Sequence, residues 1–185
     1  MHAAVIVFPG SNCDRDMAVA LEKVSGERAI RIWHGDASLP ERLDLIALPG
    51  GFSYGDYLRS GAIARYSPVM TEGIRRAKLG MPVIGICNGF QILTESGLLP
   101  GALTANDSMK FVCRTVTPRA ETTNSPWLKK FAKSELSRMP IAHGEGRFVA
   151  DDDTLKSLND QDRVAFRYAN DQGKVSADAN PNGSL

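Results

Sequence analysis

Apolar residues fall in short runs over the first hundred positions, and most runs are closed by a glycine-bearing turn. Ala3-Ala4-Val5-Ile6-Val7-Phe8 ends at Pro9-Gly10, and Leu43 to Leu48 ends at Pro49-Gly50-Gly51. Ala29 to Trp33 is another run, and Val83 to Ile86 leads into Cys87-Asn88-Gly89. The continuous run Ala3 to Phe8 predicts a strand buried on both faces, and the other three runs predict further strands. Between them the period changes. Met17, Ala20, Leu21 and Val24 recur at helical spacing, after N-cap chemistry in Ser11-Asn12-Cys13-Asp14 and before a closing Gly26. Val69 to Leu79 is a second helical pattern, with basic residues late and Gly80 after it. Phe90, Ile92, Leu93 and Leu98 belong to a third helix and its exit.

Strand followed by helix, repeated, predicts a parallel sheet with right-handed crossovers. The expected fold is α/β: a three-layer, doubly wound, flavodoxin-like and mostly parallel sheet. Ligands of such sheets bind beyond the carboxyl ends of the strands. The turns Pro9-Gly10-Ser11, Pro49-Gly50-Gly51 and Gly85 to Gly89 all fall at that end.

The pattern changes beyond Pro100. Lys110 to Val116 alternates and predicts a half-exposed antiparallel strand. Met139 to Ala142 and Arg163 to Tyr168 are two further strand candidates. Asp151-Asp152-Asp153 would cap a short helix running to Leu158, and Asp178 to Leu185 is polar and rich in turn residues. No repeat or low-complexity linker interrupts the chain, so residues 1–185 are expected to form one domain.

Composition narrows the function classes. The 185 residues are 43% hydrophobic and 23% charged, ordinary for a globular protein. Twenty-two Lys+Arg balance 21 Asp+Glu, so nothing here asks for a nucleic-acid partner. No apolar run approaches the ~18 residues of a membrane helix. Three cysteines, Cys13, Cys87 and Cys113, have no framework spacing and read as reduced thiols of a cytoplasmic protein. No CxxC or HxxxH pair suggests a metal site.

The chemistry concentrates at Gly85-Ile86-Cys87-Asn88-Gly89. A nucleophile at a sharp strand-to-helix turn is presented on a strained backbone, and its neighbours two residues away must be small. The Gly-x-Ser-x-Gly elbow of hydrolases states this rule for serine. Here it is stated for cysteine, at a helix N-terminus, which favours the thiolate. The N–H of Asn88, next after the thiol, would point where an oxyanion forms. Pro49-Gly50-Gly51-Phe52-Ser53-Tyr54-Gly55-Asp56 matches neither a Walker loop nor GxGxxG. Its paired glycines allow close backbone approach, so a second oxyanion donor is expected from Gly51 or Phe52.

Several stretches together carry a family resemblance. They are Pro9-Gly10-Ser11-Asn12-Cys13-Asp14, Pro49 to Asp56, Cys87-Asn88-Gly89-Phe90-Gln91, Lys110 to Arg114, Ala142-His143-Gly144-Glu145-Gly146 and Asn180-Pro181-Asn182-Gly183-Ser184. In this order they resemble the glutaminase subunit of phosphoribosylformylglycinamidine synthase, within the class I (triad) glutamine amidotransferases. The resemblance implies that this chain hydrolyses glutamine to glutamate and ammonia through a thioester on Cys87. Gly51, Phe52 and Asn88 would frame the oxyanion and Gln91 would help hold glutamine, with His143 and Gly144 as neighbours of the site. It also implies that ammonia passes to a synthetase subunit, often with a small third subunit. That synthetase uses ATP and magnesium to make formylglycinamidine ribonucleotide in purine biosynthesis, while the glutaminase subunit itself binds no cofactor. Tyr54, Tyr57 and Arg59 are candidates for part of the synthetase-facing surface.

One family feature is missing. The resemblance implies a histidine that serves as base and acid, oriented by a glutamate in a His-Pro-Glu motif near the C-terminus. The histidines here are His2, His34 and His143, and none precedes Pro-Glu. His143 with Glu145 is the nearest substitute, but that pair already belongs to another of the family's motifs. His34, after the second strand, reads as a surface or capping residue, and His2 opens a mobile terminus. The sequence is therefore expected to lack the family's C-terminal strand and His-Pro-Glu loop. Two other readings stand beside the glutaminase: a catalytically impaired subunit that acts as an interaction partner, and a cysteine-elbow hydrolase acting on another substrate.

Overall fold

The apolar runs of the first half become a parallel sheet. In the computed structural model, which describes Met1 to Leu185, its strands are β1 (Ala3–Val7), β2 (Ile30–Trp33), β3 (Leu45–Leu48) and β4 (Val83–Gly85). They stand in the order β2-β1-β3-β4, with Ala4 beside both Ile30 and Ile46, and Ile46 beside Val83. The two central strands are covered on both faces, so Ala3 to Ile6 and Leu45 to Leu48 are all buried. β2 lies at one edge and buries only Ile32. The core joins Ile6, Phe8, Ile46 and Leu48 to Val69 and Met70 of α2 (Pro68–Lys78) and Ile92 and Leu93 of α3 (Asn88–Glu95).

The first helix, α1 (Asp14–Ser25), ends as expected. Gly26 takes the left-handed conformation (φ 74°) and its N–H donates to Glu22 O at 2.8 Å. Two other expectations for it are corrected. Cys13 is the N-cap and makes no side-chain capping bond; Asp14 and Asp16 in the first turn complement the helix dipole instead. Its inward face follows Asp14, Met17, Ala18, Leu21 and Ser25, while Ala20 and Val24 face outward and Val24 is 85% exposed. The inward face thus includes two polar residues, Asp14 and Ser25. Asp14 is accommodated inward because Arg31 of β2 approaches its carboxylate to 3.5 Å.

Order 2-1-3-4 has a topological switch point between β1 and β3, where successive connections leave in opposite directions. The exits of β1 and β3 therefore open side by side, with that of β4 next to them. This places the three glycine-bearing turns in one crevice of the unit formed by Met1–Pro100.

The chain's contacts gather into a second compact unit, Gly101–Leu185. Here β6 (Val112–Ala120) is the centre of an antiparallel sheet in the order β7-β6-β9, with β7 (Met139–His143) and β9 (Phe166–Ala169). Val112 to Val116 pair with β7, and Thr117 to Ala120 pair with β9. Only the second stretch alternates buried and half-buried positions, so the strand changes character midway. α4 (Asp152–Asp160) is capped by Asp151, whose Oδ1 accepts from Thr154 N–H at 2.7 Å. That bond holds the Asp151 carboxyl below the usual range. Two three-residue strands, β5 (Ala102–Thr104) and β8 (Arg147–Val149), pair antiparallel and had no sequence signal of their own. The polar C-terminal stretch is also no loose tail, since Asn182 within it is completely buried.

Candidate active site

Cys87 sits at the tip of the β4–α3 turn with φ 55° and ψ −112°. A non-glycine residue rarely adopts this conformation, which costs about 1–3 kcal/mol and persists only where the surroundings impose it. The two glycines impose it here. A Cβ on Gly85 would meet Gly89 O at 2.5 Å, and a Cβ on Gly89 would meet Leu48 O at 2.0 Å. The turn is fastened by Ile86 N–H to Leu48 O (3.1 Å) and Gly89 N–H to Ile86 O (2.9 Å). The carbonyl of Cys87 accepts from Phe90 and Gln91 N–H at 2.9 and 3.2 Å, opening α3. The backbone of Cys87 is thus fixed while its side chain is exposed.

The Gly50-Gly51 loop runs directly past this thiol. A Cβ on Gly50 would fall 3.4 Å from Cys87 Cβ and 3.6 Å from Cys13 Sγ. The loop is zipped to the β1 exit: Phe52 N–H donates to Gly10 O at 2.9 Å, Tyr54 N–H to Pro9 O at 2.7 Å, and Cys13 N–H to Gly50 O at 3.3 Å. These bonds narrow the expected donor pair. The Phe52 N–H is already engaged, whereas Gly51 N–H, at φ 133°, has no protein acceptor. The N–H of Asn88, at the first position of α3, is an orphan of the helix start. Phe52 contributes its half-exposed ring to the rim.

After the glycines the chain stays strained. Tyr54, Asp56 and Leu58 all have positive φ (55°, 54° and 69°). Two anchors hold the segment. The Tyr54 hydroxyl bonds His34 Nδ1 at 2.6 Å and Ser67 Oγ at 2.8 Å. His34 is therefore half-buried among Phe8, Trp33 and Tyr54, and is not the surface or capping residue expected of it. The second anchor is the Asn88 carboxamide, 1% exposed. Its Oδ1 accepts from Ser53 N–H at 3.2 Å, and its Nδ2 donates to Asp56 Oδ1 at 3.3 Å and Gln91 Oε1 at 2.9 Å. Gln91 is itself buried, one helical turn from Asn88 on the same face.

Cys13 stands beside the same Gly50 loop. Burial, then Asp16, Cys87 and Asp14, push the Cys13 thiol above its ordinary range. Cys113 is exposed on β6 in the second unit. His2 lies 3.5 Å from Glu27. Tyr57 and Arg59 are exposed, and Arg59 forms a two-pronged bond to Glu95 at 2.6 and 2.7 Å. His143 ends β7, and Gly144 O accepts from Asn106 N–H at 2.9 Å. The His143 imidazole bonds Asn106 Oδ1 at 3.1 Å and packs where a Cβ on Gly146 would stand, 2.4 Å from the ring. Burial lowers its pKa. Fully buried Asn106 and Asn182 tie this loop to the Asn180–Ser184 segment. Asn106 Nδ2 donates to His143 O at 2.9 Å, and Asn182 Nδ2 to Gly146 O at 2.8 Å.

Sequence reading missed the side chains of Asn88 and Asp56 and the Tyr54–His34 pair. A signal for the first was present, since Asn88 and Gln91 stand three apart at the head of one helix. The second had none, because its partners are twenty residues apart on different connections.

Comparison with known proteins is consistent with this geometry. Residues 1–185 match the family model of the CobB/CobQ-like glutamine amidotransferase domain. Phosphoribosylformylglycinamidine synthase subunit PurQ of Zymomonas mobilis is 57% identical over 168 residues, covering 91% of this chain and 76% of the relative. The same subunit of Rhodospirillum rubrum is 53% identical over 184 residues, covering 100% and 80%. The structure of PurLQS from Thermotoga maritima matches with a TM-score of 0.80 at 43% identity, covering 99% of this chain and 77% of that one. The glutaminase domain of Trypanosoma brucei CTPS, 13% identical with a TM-score of 0.52 over 85% of this chain and 72% of that one, shares the fold. The chain belongs to the CobB/CobQ-like glutamine amidotransferase family, among the PurQ subunits of phosphoribosylformylglycinamidine synthase.

Proposed function

We propose that this chain is the glutaminase of a phosphoribosylformylglycinamidine synthase, with Cys87 as its nucleophile. The supporting observation is the strained, exposed Cys87 between Gly85 and Gly89, with the Gly50-Gly51 loop against it. In the reaction, the Cys87 thiolate attacks the side-chain amide carbon of glutamine. The carbonyl oxygen becomes an oxyanion, facing the Gly51 and Asn88 N–H groups. Collapse breaks the C–N bond, the nitrogen takes a proton from solvent water and leaves as ammonia, and a γ-glutamyl thioester remains. Water then cleaves the thioester, releasing glutamate and restoring the thiol. Gln91 supports the pocket from beneath and Phe52 closes its rim. Ammonia passes to a synthetase subunit that uses ATP and magnesium, assembled with a small third subunit. The chain itself needs no cofactor and works in the cytoplasm; no helix is long and apolar enough to cross a membrane.

The test is labelling with a chloroketone analogue of glutamine, read by peptide mass spectrometry, followed by glutamate release with the synthetase present. The expected result is modification of Cys87 alone, prevented by excess glutamine, together with glutamate formation. Modification of Cys13 or Cys113 instead, or no protection by glutamine, would remove Cys87 from the role. Protected labelling without any glutamate would favour the impaired interaction subunit.

A further inference from the structure

We infer that the Asn88 side chain is a positioning strut that sets the Gly50-Gly51 loop against Cys87, so that the oxyanion donors on two separate turns stay in register. The inference rests on the glutaminase reading for its catalytic meaning and on hydrogen bonds alone for its structural part. Gly51 belongs to the β3 exit and the Asn88 N–H to the start of α3, two turns that leave the sheet beyond the last paired residues of β3 and β4. The loop is also intrinsically ill-disposed to hold its shape, with Tyr54 and Asp56 both at positive φ. Asn88 bridges the two elements with a buried carboxamide. It takes the Ser53 N–H at 3.2 Å, two residues after Gly51, and gives its own N–H groups to Asp56 at 3.3 Å and Gln91 at 2.9 Å. One residue thereby presents an oxyanion donor from its backbone and aligns the opposite donor with its side chain.

The polarity of the contacts matters. Asn88 needs both an acceptor and donors, because Ser53 offers an N–H while Asp56 and Gln91 offer oxygens. Leucine has a similar shape and neither capacity. Aspartate keeps the acceptor for Ser53 but sets an oxygen against Asp56 and Gln91. Exchanging Asp56 for asparagine at the same time restores a donor facing position 88. Asn also tolerates the left-handed backbone at position 56.

The experiment compares the wild-type full chain with Asn88→Leu, Asn88→Asp, Asp56→Asn and the Asn88→Asp/Asp56→Asn double variant. Two electrophiles are used on each. The chloroketone analogue of glutamine carries a carbonyl that needs the oxyanion donors, whereas iodoacetamide reports only the accessibility and nucleophilicity of Cys87. The chloroketone rate is expected to fall about 10²-fold in Asn88→Asp and Asn88→Leu, the usual cost of losing an oxyanion donor. Iodoacetamide rates should remain at the wild-type level in Asn88→Leu. In Asn88→Asp the added carboxylate beside Cys87 slows both reagents, and the chloroketone loss is expected to exceed the iodoacetamide loss, with the double variant recovering roughly tenfold of that excess, as coupled neighbours do. Amide exchange over residues 51–56 should rise in Asn88→Leu while that of α3 does not. If the chloroketone rate is unchanged, or falls in step with iodoacetamide, the strut has no positioning role. Unchanged exchange over 51–56 overturns it on structural grounds even if the wild type proves not to be labelled by the glutamine analogue, a result that would instead count against the glutaminase reading.

Discussion

The carbonyl oxygen of Leu48 fills the place where Gly89 would carry a side chain: an ideal Cβ there lies 2.0 Å from it. Both groups are backbone-fixed, one at the end of a buried strand and one in the first turn of α3, so neither can yield without moving the elbow. Gly89→Ala is expected to cost about 3 kcal/mol, the upper range for overpacking. That is a fall in melting temperature of roughly 6–12 °C for a chain of this size. Thermal unfolding followed by circular dichroism checks it.

Cys87 should behave as a residue whose chemistry and stability are opposed. Its φ of 55° suits glycine better than cysteine. Cys87→Gly is expected to abolish glutamine-analogue labelling while stabilising the fold by about 1 kcal/mol, the relieved strain less the backbone entropy of glycine. A urea titration showing net destabilisation would mean that the thiol itself packs productively.

Cys13 and Cys113 should alkylate in a definite order. Burial and the carboxylates of Asp16 and Asp14 push Cys13 upward, whereas Cys113 is exposed on β6. With iodoacetamide at neutral pH, Cys13 is expected to react more slowly than Cys113, as a time course of peptide mass spectra would reveal. Removing the nearby charge in Asp16→Asn should accelerate Cys13 and leave Cys113 alone.

His143 predicts a pH dependence of stability. Burial lowers its folded-state pKa below the ordinary 6.5, so the unfolded chain takes up a proton that the folded protein resists. The stability it contributes is complete above pH 6.5 and is lost as pH falls from there through the folded value. His143→Gln should therefore show a shallower decline than wild type on acidification below pH 6.5, measured by urea unfolding at a series of pH values.

Asn182 should be the keystone of the second unit's loop cluster. It is fully buried, donates to Gly146 O, and accepts from Ser184 N–H at 3.1 Å and Ser184 Oγ at 2.8 Å. Asn182→Ala removes these bonds, leaving Gly146 O only the longer bond from Ser184 Oγ at 3.3 Å, and is expected to cost about 1–3 kcal/mol. Hydrogen exchange should show the loss concentrated in residues 143–146 and 180–184.

Much of this was written in the sequence, because it is written locally. The four apolar runs specified β1 to β4; the central pair, β1 and β3, is covered on both faces, whereas the edge strand β2 carries Arg31 and buries only Ile32. The Gly-x-Cys-x-Gly spacing specified the elbow, since only small residues clear the neighbouring strand. The long motifs at Pro49 to Asp56 and Cys87 to Gln91 pointed to the family. The orientation of α1 was less legible, because its inward face includes Asp14 and Ser25, whose polarity is offset by a partner on β2 and by bonds within the helix.

What only the tertiary structure decided is which polar groups remain free. The sequence offered Gly51 and Phe52 equally as donors. The approach of the β1 exit gives the Phe52 N–H to Gly10 O and leaves Gly51 open. It also gives His34 to Tyr54 and the Asn88 carboxamide to Ser53, Asp56 and Gln91. Each outcome is a competition between hydrogen-bond partners on segments distant in the chain. Periodicity and spacing encode which residues enter a strand or a turn; the winner among partners is fixed only once β1, β3 and β4 stand side by side and their exits meet.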